Sequence, residues 1–322
     1  MKLTFKKLAL GTLLGLVAFS AQSAQVTLKA VSAFAKNSYF DQRFENFVKK
    51  FNEEGKGILQ IQMLGGPESM PPFEVGNALR AGVIDLANTT GVFLANLLPE
   101  ALALSFSTTP MATLRANGGD ALLDNIMREK ANIVWLGRVH DGLKFHIYTN
   151  KKPENFSFKD MKLRSVPVYR SFFQSLGALP LQVPPGEVYT ALERGVVDGY
   201  GWPSVGIFDL GWQEKTKYRI EPGFYNVEDS LYMNQDKYKK LDETQRAFLT
   251  AQVRQLEELF VQDQKAVERE KTRLVEAGIE IISLPPDLAA KFIATANEAG
   301  WKAIDQASPK YAAQLRKAFG AQ

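Results

Sequence analysis

The 322-residue chain has no cysteine and only two histidines, His140 and His146. The first lack excludes thiol nucleophiles, thiolate metal sites and disulfides, and is compatible with an oxidising compartment. The second leaves little material for a Ser-His-Asp triad or a His-rich zinc centre. No GxSxG, HExxH, phosphate-binding loop or dinucleotide fingerprint occurs. There is no Lys/Arg stripe and no interleaving of aromatic and basic residues, so nothing points to nucleic acid. Long apolar runs are also missing. The one from Leu8 to about Phe19 is shorter than the roughly 20 residues that cross a bilayer, and no later run matches it.

That run follows Lys2, Lys6 and Lys7 and precedes the small residues Ser20, Ala21, Ser23 and Ala24. The order reads as a secretory signal peptide over residues 1–23, with cleavage after Ser23 or Ala24. The formal charge of +4 becomes +1 once those three lysines go. The mature chain is therefore expected to be soluble, near neutral and located in the periplasm, with no direct membrane insertion. Its length reaches the roughly 250–300 residues at which single cores stop growing, so two domains are expected.

What the sequence does contain is an internal echo. Pro71-Pro72-x-Glu74-Val75-x-x-Ala78-Leu79-x-x-Gly82-Val83-Ile84-Asp85 returns as Pro184-Pro185-x-Glu187-Val188-x-x-Ala191-Leu192-x-x-Gly195-Val196-Val197-Asp198, nine of fifteen positions being identical at an offset of 113. Paired prolines suit a helix start, the glutamate suits its positive end, and Ala-Leu propagates it. Glycine then ends the helix in a left-handed cap, and Val-Ile/Val-Asp opens a buried strand. Chance similarity of two helix-Gly-strand units is the bland explanation. The alternative is two similar α/β lobes facing a cleft, with helix N-termini and strand C-termini at its walls.

The remaining pattern also alternates. Gln25 to Val31 reads as a strand, and Tyr39 to Asn52 places Phe40, Phe44, Phe47, Val48 and Phe51 on one helical face. Leu59, Ile61 and Met63 alternate with glutamines. Phe145 to Thr149 and Leu163 to Val166 read as strands, and Ser171 to Gly177 as a short helix. From Asp242 to about Ala277 there is neither proline nor glycine, which predicts one long helix. Its apolar positions do not keep a strict heptad, so a brace across both lobes is preferred to a coiled-coil arm.

Among polar residues, His146 beside Phe145 reads as a satisfied structural histidine. Arg164, in Lys162-Leu163-Arg164-Ser165-Val166-Pro167, sits at a strand end where α/β proteins place ligand contacts. A guanidinium there could grip a carboxylate through two parallel hydrogen bonds. Taken alone, it reads more readily as a surface or structurally paired arginine.

Arg164-Ser165-Val166-Pro167, Leu176-Gly177-Ala178-Leu179-Pro180 and Glu187-Val188-Tyr189-x-Ala191-Leu192-x-x-Gly195-Val196-Val197-Asp198-Gly199 together resemble the signature of DctP-type substrate-binding proteins. These are the extracytoplasmic receptors of tripartite ATP-independent periplasmic (TRAP) transporters. The resemblance covers essentially the whole mature chain. It implies a two-lobed periplasmic binding protein, a Venus flytrap of α/β class with β-strand hinges and a long helix spanning both lobes. Lobe 1 would comprise residues 24–145 and 230–271, and lobe 2 residues 146–229 and 272–322. The implied partners are a small organic acid and the membrane subunits of a TRAP permease, with the receptor monomeric and without a cofactor.

The resemblance makes Arg164 the carboxylate anchor. It adds Trp202, Phe145 and Pro185, together with Phe34, Thr89, Thr90 and Tyr169, to the ligand-binding walls. Departures from the family pattern are informative. Relatives for sialic acid carry Glu-Asn, and relatives for keto acids Glu-Trp, where this chain has Gly201-Trp202 before Pro203. Gly201 removes a carboxylate that some relatives use as a metal ligand, so no metal is expected. Phe145 stands where sugar-acid receptors have a second arginine. A monocarboxylate with an apolar or aromatic body follows as the expected ligand. Two other classes stay open: a periplasmic enzyme acting on a small carboxylate, which would need a converging acid and base, and a signalling receptor of the same fold.

Overall fold

The structure is a computed structural model that describes residues 25–320, so the signal-peptide reading lies outside the described residues. The chain opens with β1 (Val26–Ser32), α1 (Tyr39–Glu54) and β2 (Leu59–Gly65). Helix α1 forms because its five phenylalanine and valine positions share one face and all five are buried; Phe44, Phe47, Val48 and Phe51 pack with Leu28, Leu59 and Ile61 of the two strands, while Phe40 joins the other core. There follow α2 (Val75–Ala81), β3 (Leu86–Thr89), α3 (Gly91–Leu94), α4 (Ala103–Phe106), α5 (Met111–Ala116), α6 (Gly119–Ala131) and β4 (Ile133–His140). The middle of the chain is β5 (Lys144–Thr149), β6 (Lys162–Ser165), α7 (Pro167–Ser175), β7 (Leu179–Gln182), α8 (Val188–Glu193), β8 (Gly199–Pro203), β9 (Tyr218–Glu221) and β10 (Phe224–Asn226). The last part is β11 (Asp229–Asn234), α9 (Gln235–Lys240), α10 (Glu243–Glu257), α11 (Val261–Glu276), β12 (Glu280–Ser283), α12 (Pro286–Ala307) and α13 (Ala312–Phe319). Helix α7 starts four residues before the expected Ser171 because Pro167, fixed at a helical φ, serves as its first residue.

Two sheets result. One has the order β2-β1-β3-β11-β4, and the seven-stranded other has β12-β9-β5-β8-β6-β7 with β10 added to β5. Within them, β2-β1-β3-β11 and β7-β6-β8-β5 repeat one arrangement: three parallel strands, then one antiparallel.

The echo sits at the same place in each. Pro72–Glu74 and Pro185–Glu187 form single 3-10 turns that lead into α2 and α8. Gly82 and Gly195 then take left-handed backbones at φ 71° and 67°, where a side chain would be strained. The strands begin just after the aspartates rather than at the valines, and Val83 and Val196 are exposed. The reason is that each aspartate is engaged with the neighbouring parallel strand. Asp85 N donates to Lys29 O and its Oδ2 accepts from Lys29 N at 2.9 Å; Asp198 does the same with Lys162 at 2.7 and 3.0 Å. The repeat is structural, not a coincidence of composition.

The chain crosses between the sheets at 141–143 and again at 227–228. The two crossings lie side by side, with Val227 N donating to Leu143 O at 2.8 Å and Asp229 opposite His140. A third connection is helical, but not as the single helix expected. α10 packs on β4 and β2 of the first sheet and α11 on β12 of the second. Between them residues 258–260 tighten into a turn with i to i−3 bonds such as Leu259 N to Leu256 O and Asp263 N to Phe260 O. The turn aims Asp263 inward, where it accepts from Arg43 (2.9 and 3.1 Å), Tyr39 Oη (2.5 Å) and the Asp141 amide (3.2 Å) and pairs with His140 Nδ1 (2.9 Å). Burial opposes the Asp263 charge, yet His140 and Arg43 hold its carboxyl below the usual range.

After residue 271 the chain packs against elements on both sides. α12 packs on α7 and also on α4, and α13 packs on α4 and α6 beside the first sheet. Phe106, Phe172, Phe224, Tyr225 and Trp301 accordingly belong to one core shared by both sheets.

Candidate ligand-binding site

Arg164 lies on β6, between β7 and β8, two residues before the strand gives way to α7. Its side chain is about 1% exposed. Nε donates to Val183 O at 2.8 Å and Nη1 to Gly201 O at 3.3 Å, while Nη2 has no partner. Among the described residues no carboxylate lies within ion-pair distance of it. Burial lowers its pKa to about 10, so the group stays cationic at neutral pH. The guanidinium sits 5.6 Å from the centroid of the Trp202 ring.

The Arg164 side chain lines a cavity between the two sheets. Phe34, Phe40 and Phe93 line it from the first side, and Phe145, Tyr169 and Trp202 from the second. The rings support one another: Phe34 and Phe40 have centroids 5.4 Å apart, and Phe145 meets Tyr169 edge-on at 4.9 Å. The space open to the centre of a water-sized sphere is about 40 Å³, where one water needs roughly 10–15 Å³. The cavity therefore suits a compact molecule. Trp202 Nε1 is a second buried donor without a partner. Phe34, Phe40 and Trp202 also wall an adjoining outer groove, whose rim is Pro71, Pro72, Pro184 and Pro185, so both copies of the echo meet there.

The crossing strands supply an acidic wall, Glu228 and Asp229. Glu228 accepts from Gly91 N (2.7 Å), Thr90 Oγ1 (3.1 Å) and Tyr232 Oη (2.8 Å). Neither carboxyl oxygen of Asp229 has a hydrogen-bond partner. Burial pushes the pKa of both above the usual carboxyl range, and Glu228 adds to the rise at Asp229. His140 Nε2, 3.9 Å from Asp229 Oδ2, is unpartnered too, and burial lowers its pKa.

Of the residues read from sequence, Arg164, Trp202, Phe145, Phe34, Thr90 and Tyr169 line the inner cavity. Pro185 lies in the outer groove, and Thr89 lines neither. Thr89 sits on β3 opposite Ser230, its Oγ1 buried without a partner. Thr90 is largely spent on structure, since it caps α3 through Val92 N and donates to Glu228. Gly201 has a steric reason: a Cβ there would come 2.8 Å from two Tyr169 ring atoms and 3.0 Å from Phe173. His146, apart from the cavity, bonds Ile220 O at 3.1 Å. The reading missed Phe40, Phe93, Glu228 and Asp229. For the acids, the available signal was the run Asn226-Val227-Glu228-Asp229-Ser230, which places adjacent carboxylates at the start of an apolar strand.

Comparison with known proteins agrees with this architecture. The family model described as bacterial extracellular solute-binding protein, family 7 (DctP) matches residues 31–306. A monocarboxylate 2-oxoacid-binding periplasmic protein of Nostoc sp. is 25% identical over 254 residues, 74% of this chain and 68% of its own. Among solved structures, a Bordetella pertussis extracytoplasmic solute receptor binding pyroglutamic acid superposes with a TM-score of 0.77 at 19% identity, over 92% of this chain and all of its own. A Desulfovibrio salexigens TRAP periplasmic solute-binding protein with bound orotic acid gives 0.80 at 17% identity, over 91% and 97%. With the family model spanning most of its length, this chain belongs to the DctP family, family 7 of the bacterial extracellular solute-binding proteins.

Proposed function

We propose that this chain is the periplasmic receptor of a TRAP-type transporter, working as a monomer that captures a small monocarboxylate with a compact apolar or aromatic body and hands it to the membrane permease. The observation that carries the reading is Arg164, a buried cation without an acidic partner among the described residues, its Nη2 free of hydrogen bonds, in the lining of a cavity walled by aromatic rings. An uncompensated buried charge is costly, and an incoming carboxylate compensates it. Nη2 and the second Nη1 proton can hold two carboxylate oxygens. A second carboxylate would meet Glu228 and Asp229, which favours ligands with one. Relatives named for a 2-oxoacid, pyroglutamic acid and orotic acid support the same class. The lobes are taken to close about the crossings at 141–143 and 227–228, and the bound acid should be recovered unchanged.

Thermal denaturation with a panel of acids tests this. Ligand at 100 times its Kd adds about 2.7 kcal/mol, a shift of about 5 °C for a chain of this size. Arg164→Lys keeps the charge but loses the planar fork, and should weaken binding at least tenfold, about 1.4 kcal/mol. Unchanged affinity in that variant would refute the anchor. Stabilisation by sialic or uronic acids alone would refute the ligand class. Genes for a small and a large permease subunit are expected beside this one, and their absence would refute the transporter assignment.

A further inference from the structure

We infer that Asp229 is a second pole of this site, and that the preferred acid carries a nitrogen-bound hydrogen-bond donor opposite its carboxylate. The inference rests on the carboxylate-receptor reading above and adds a chemical requirement to it.

The contrast between two adjacent acids carries the argument. Glu228 is buried and has three donors, as a structural acid should. Asp229 is equally buried on the same cavity wall, and both its oxygens lack a hydrogen bond. Its nearest candidates do not fill the role. His140 stops at 3.9 Å with Nε2 itself unpartnered, and the charge of Arg43 and the backbone amide of Ser230 only partly offset the cost of burial. Arg164 lines the same cavity without pairing with Asp229. Among the described residues the site thus holds an unmatched cation and an unmatched acid apart from each other, both in the lining of one cavity.

A buried carboxyl without partners destabilises the fold that contains it, and an apolar or amide residue would serve packing better. Lone pairs on Asp229 accept hydrogen bonds, so the complementary ligand group is a donor. A protonated or polarised N–H satisfies a carboxylate more strongly than a hydroxyl does, because the bond is charge-assisted. Monocarboxylates without such a group would leave Asp229 buried and unpaired, and the site should discriminate against them.

Three ring acids of one size isolate a donor set across the ring from the carboxylate: pyrrolidine-3-carboxylate, tetrahydrofuran-3-carboxylate and cyclopentanecarboxylate. Titration calorimetry on the mature wild type should show the pyrrolidine acid binding at least tenfold more tightly than the carbocycle. In Asp229→Asn that advantage should fall at least tenfold, with cyclopentanecarboxylate little changed, and the ligand-free variant should melt at or above wild type. Equal wild-type affinities for the three rings, or a preference that survives Asp229→Asn, would overturn the inference and leave the carboxylate reading standing. A ligand-free variant that melts well below wild type would assign Asp229 a structural task and overturn the inference as well. Failure of all three acids and of a wider carboxylate panel to bind would sink both readings.

Discussion

Replacing Asp209 by alanine should loosen the closed receptor without touching the cavity. The N-terminus of α1 lacks a cap of its own, because Ser38 stands at the N-cap position with its Oγ buried and unpartnered. The amide of Tyr39 instead donates to Asp209 Oδ2 at 2.8 Å, from the segment that follows β8 on the facing side. Helix α1 is capped across the cleft, so opening uncaps it. A hydrogen bond to a charged acceptor contributes about 1.5–3 kcal/mol, and an anion at an exposed helix start about 0.3–1 kcal/mol. Discounted for solvent at the cleft mouth, a combined loss of about 1–2 kcal/mol is reasonable. That lowers the closed-to-open ratio roughly 5- to 30-fold, and the apparent Kd of a receptor that is mostly open when empty rises by the same factor. Calorimetry with the tightest acid of the panel reads the Kd, and the change should lie mainly in a faster dissociation rate. Solution scattering should show ligand contracting both proteins, with alanine needing more ligand; Asp209→Asn, which keeps an acceptor, should be intermediate. A Kd within twofold of wild type in Asp209→Ala, at unchanged melting temperature, would refute the trans-cleft cap.

Asp263→Ala should destabilise the fold by about 3–5 kcal/mol, since it strands the buried Arg43; a change below about 1 kcal/mol in chemical denaturation would contradict the role given to the 258–260 turn. His146 gives a pH dependence. Burial first, then Arg219, lowers its pKa to about 4. The unfolded chain therefore binds the proton more readily, and the stability held above about pH 6.5 is lost as pH falls through about 4. Buried Glu228 and Asp229 act in the opposite direction, their raised pKa values adding stability on acidification. The comparison is consequently with His146→Gln: wild type should lose melting temperature relative to this variant between pH 7 and 4.5, and parallel curves would show that His146 does not stay neutral in the fold.

Much of the architecture was legible because it follows from local periodicity. The five buried apolar residues of α1, the glycine caps at 82 and 195 and the proline that opens α7 act within a turn or two of their own position. The duplicated prolines and aspartates gave the pseudo-symmetry, though not the reason for it, since the bonds from Asp85 to Lys29 and from Asp198 to Lys162 join distant segments. The break at 258–260 was illegible for a related cause. No glycine or proline marks it, and it exists because Asp263 is drawn to Arg43, Tyr39 and His140 from other elements. Arg164 was conspicuous by its strand-end position, whereas Asp229 becomes notable only once its empty lone pairs are seen beside the filled ones of Glu228. Thr89 illustrates the opposite limit, because it ends β3 opposite Ser230 while Thr90, one residue on at the cap of α3, reaches the cavity.

Glu228 and Asp229 are at once cavity wall and part of the passage where the chain changes sheets. In the proposed function the cargo sits close to the fulcrum of the molecule, and the paired prolines line the groove outside it. Any rotation about that fulcrum moves an atom in proportion to its distance from it. A change of one atom in the cargo alters the gap at the wall slightly and the gap between the proline rims by more. On that proposal the receptor is geared, and would report the size of a small acid as a larger displacement on the outside, where the permease could feel it.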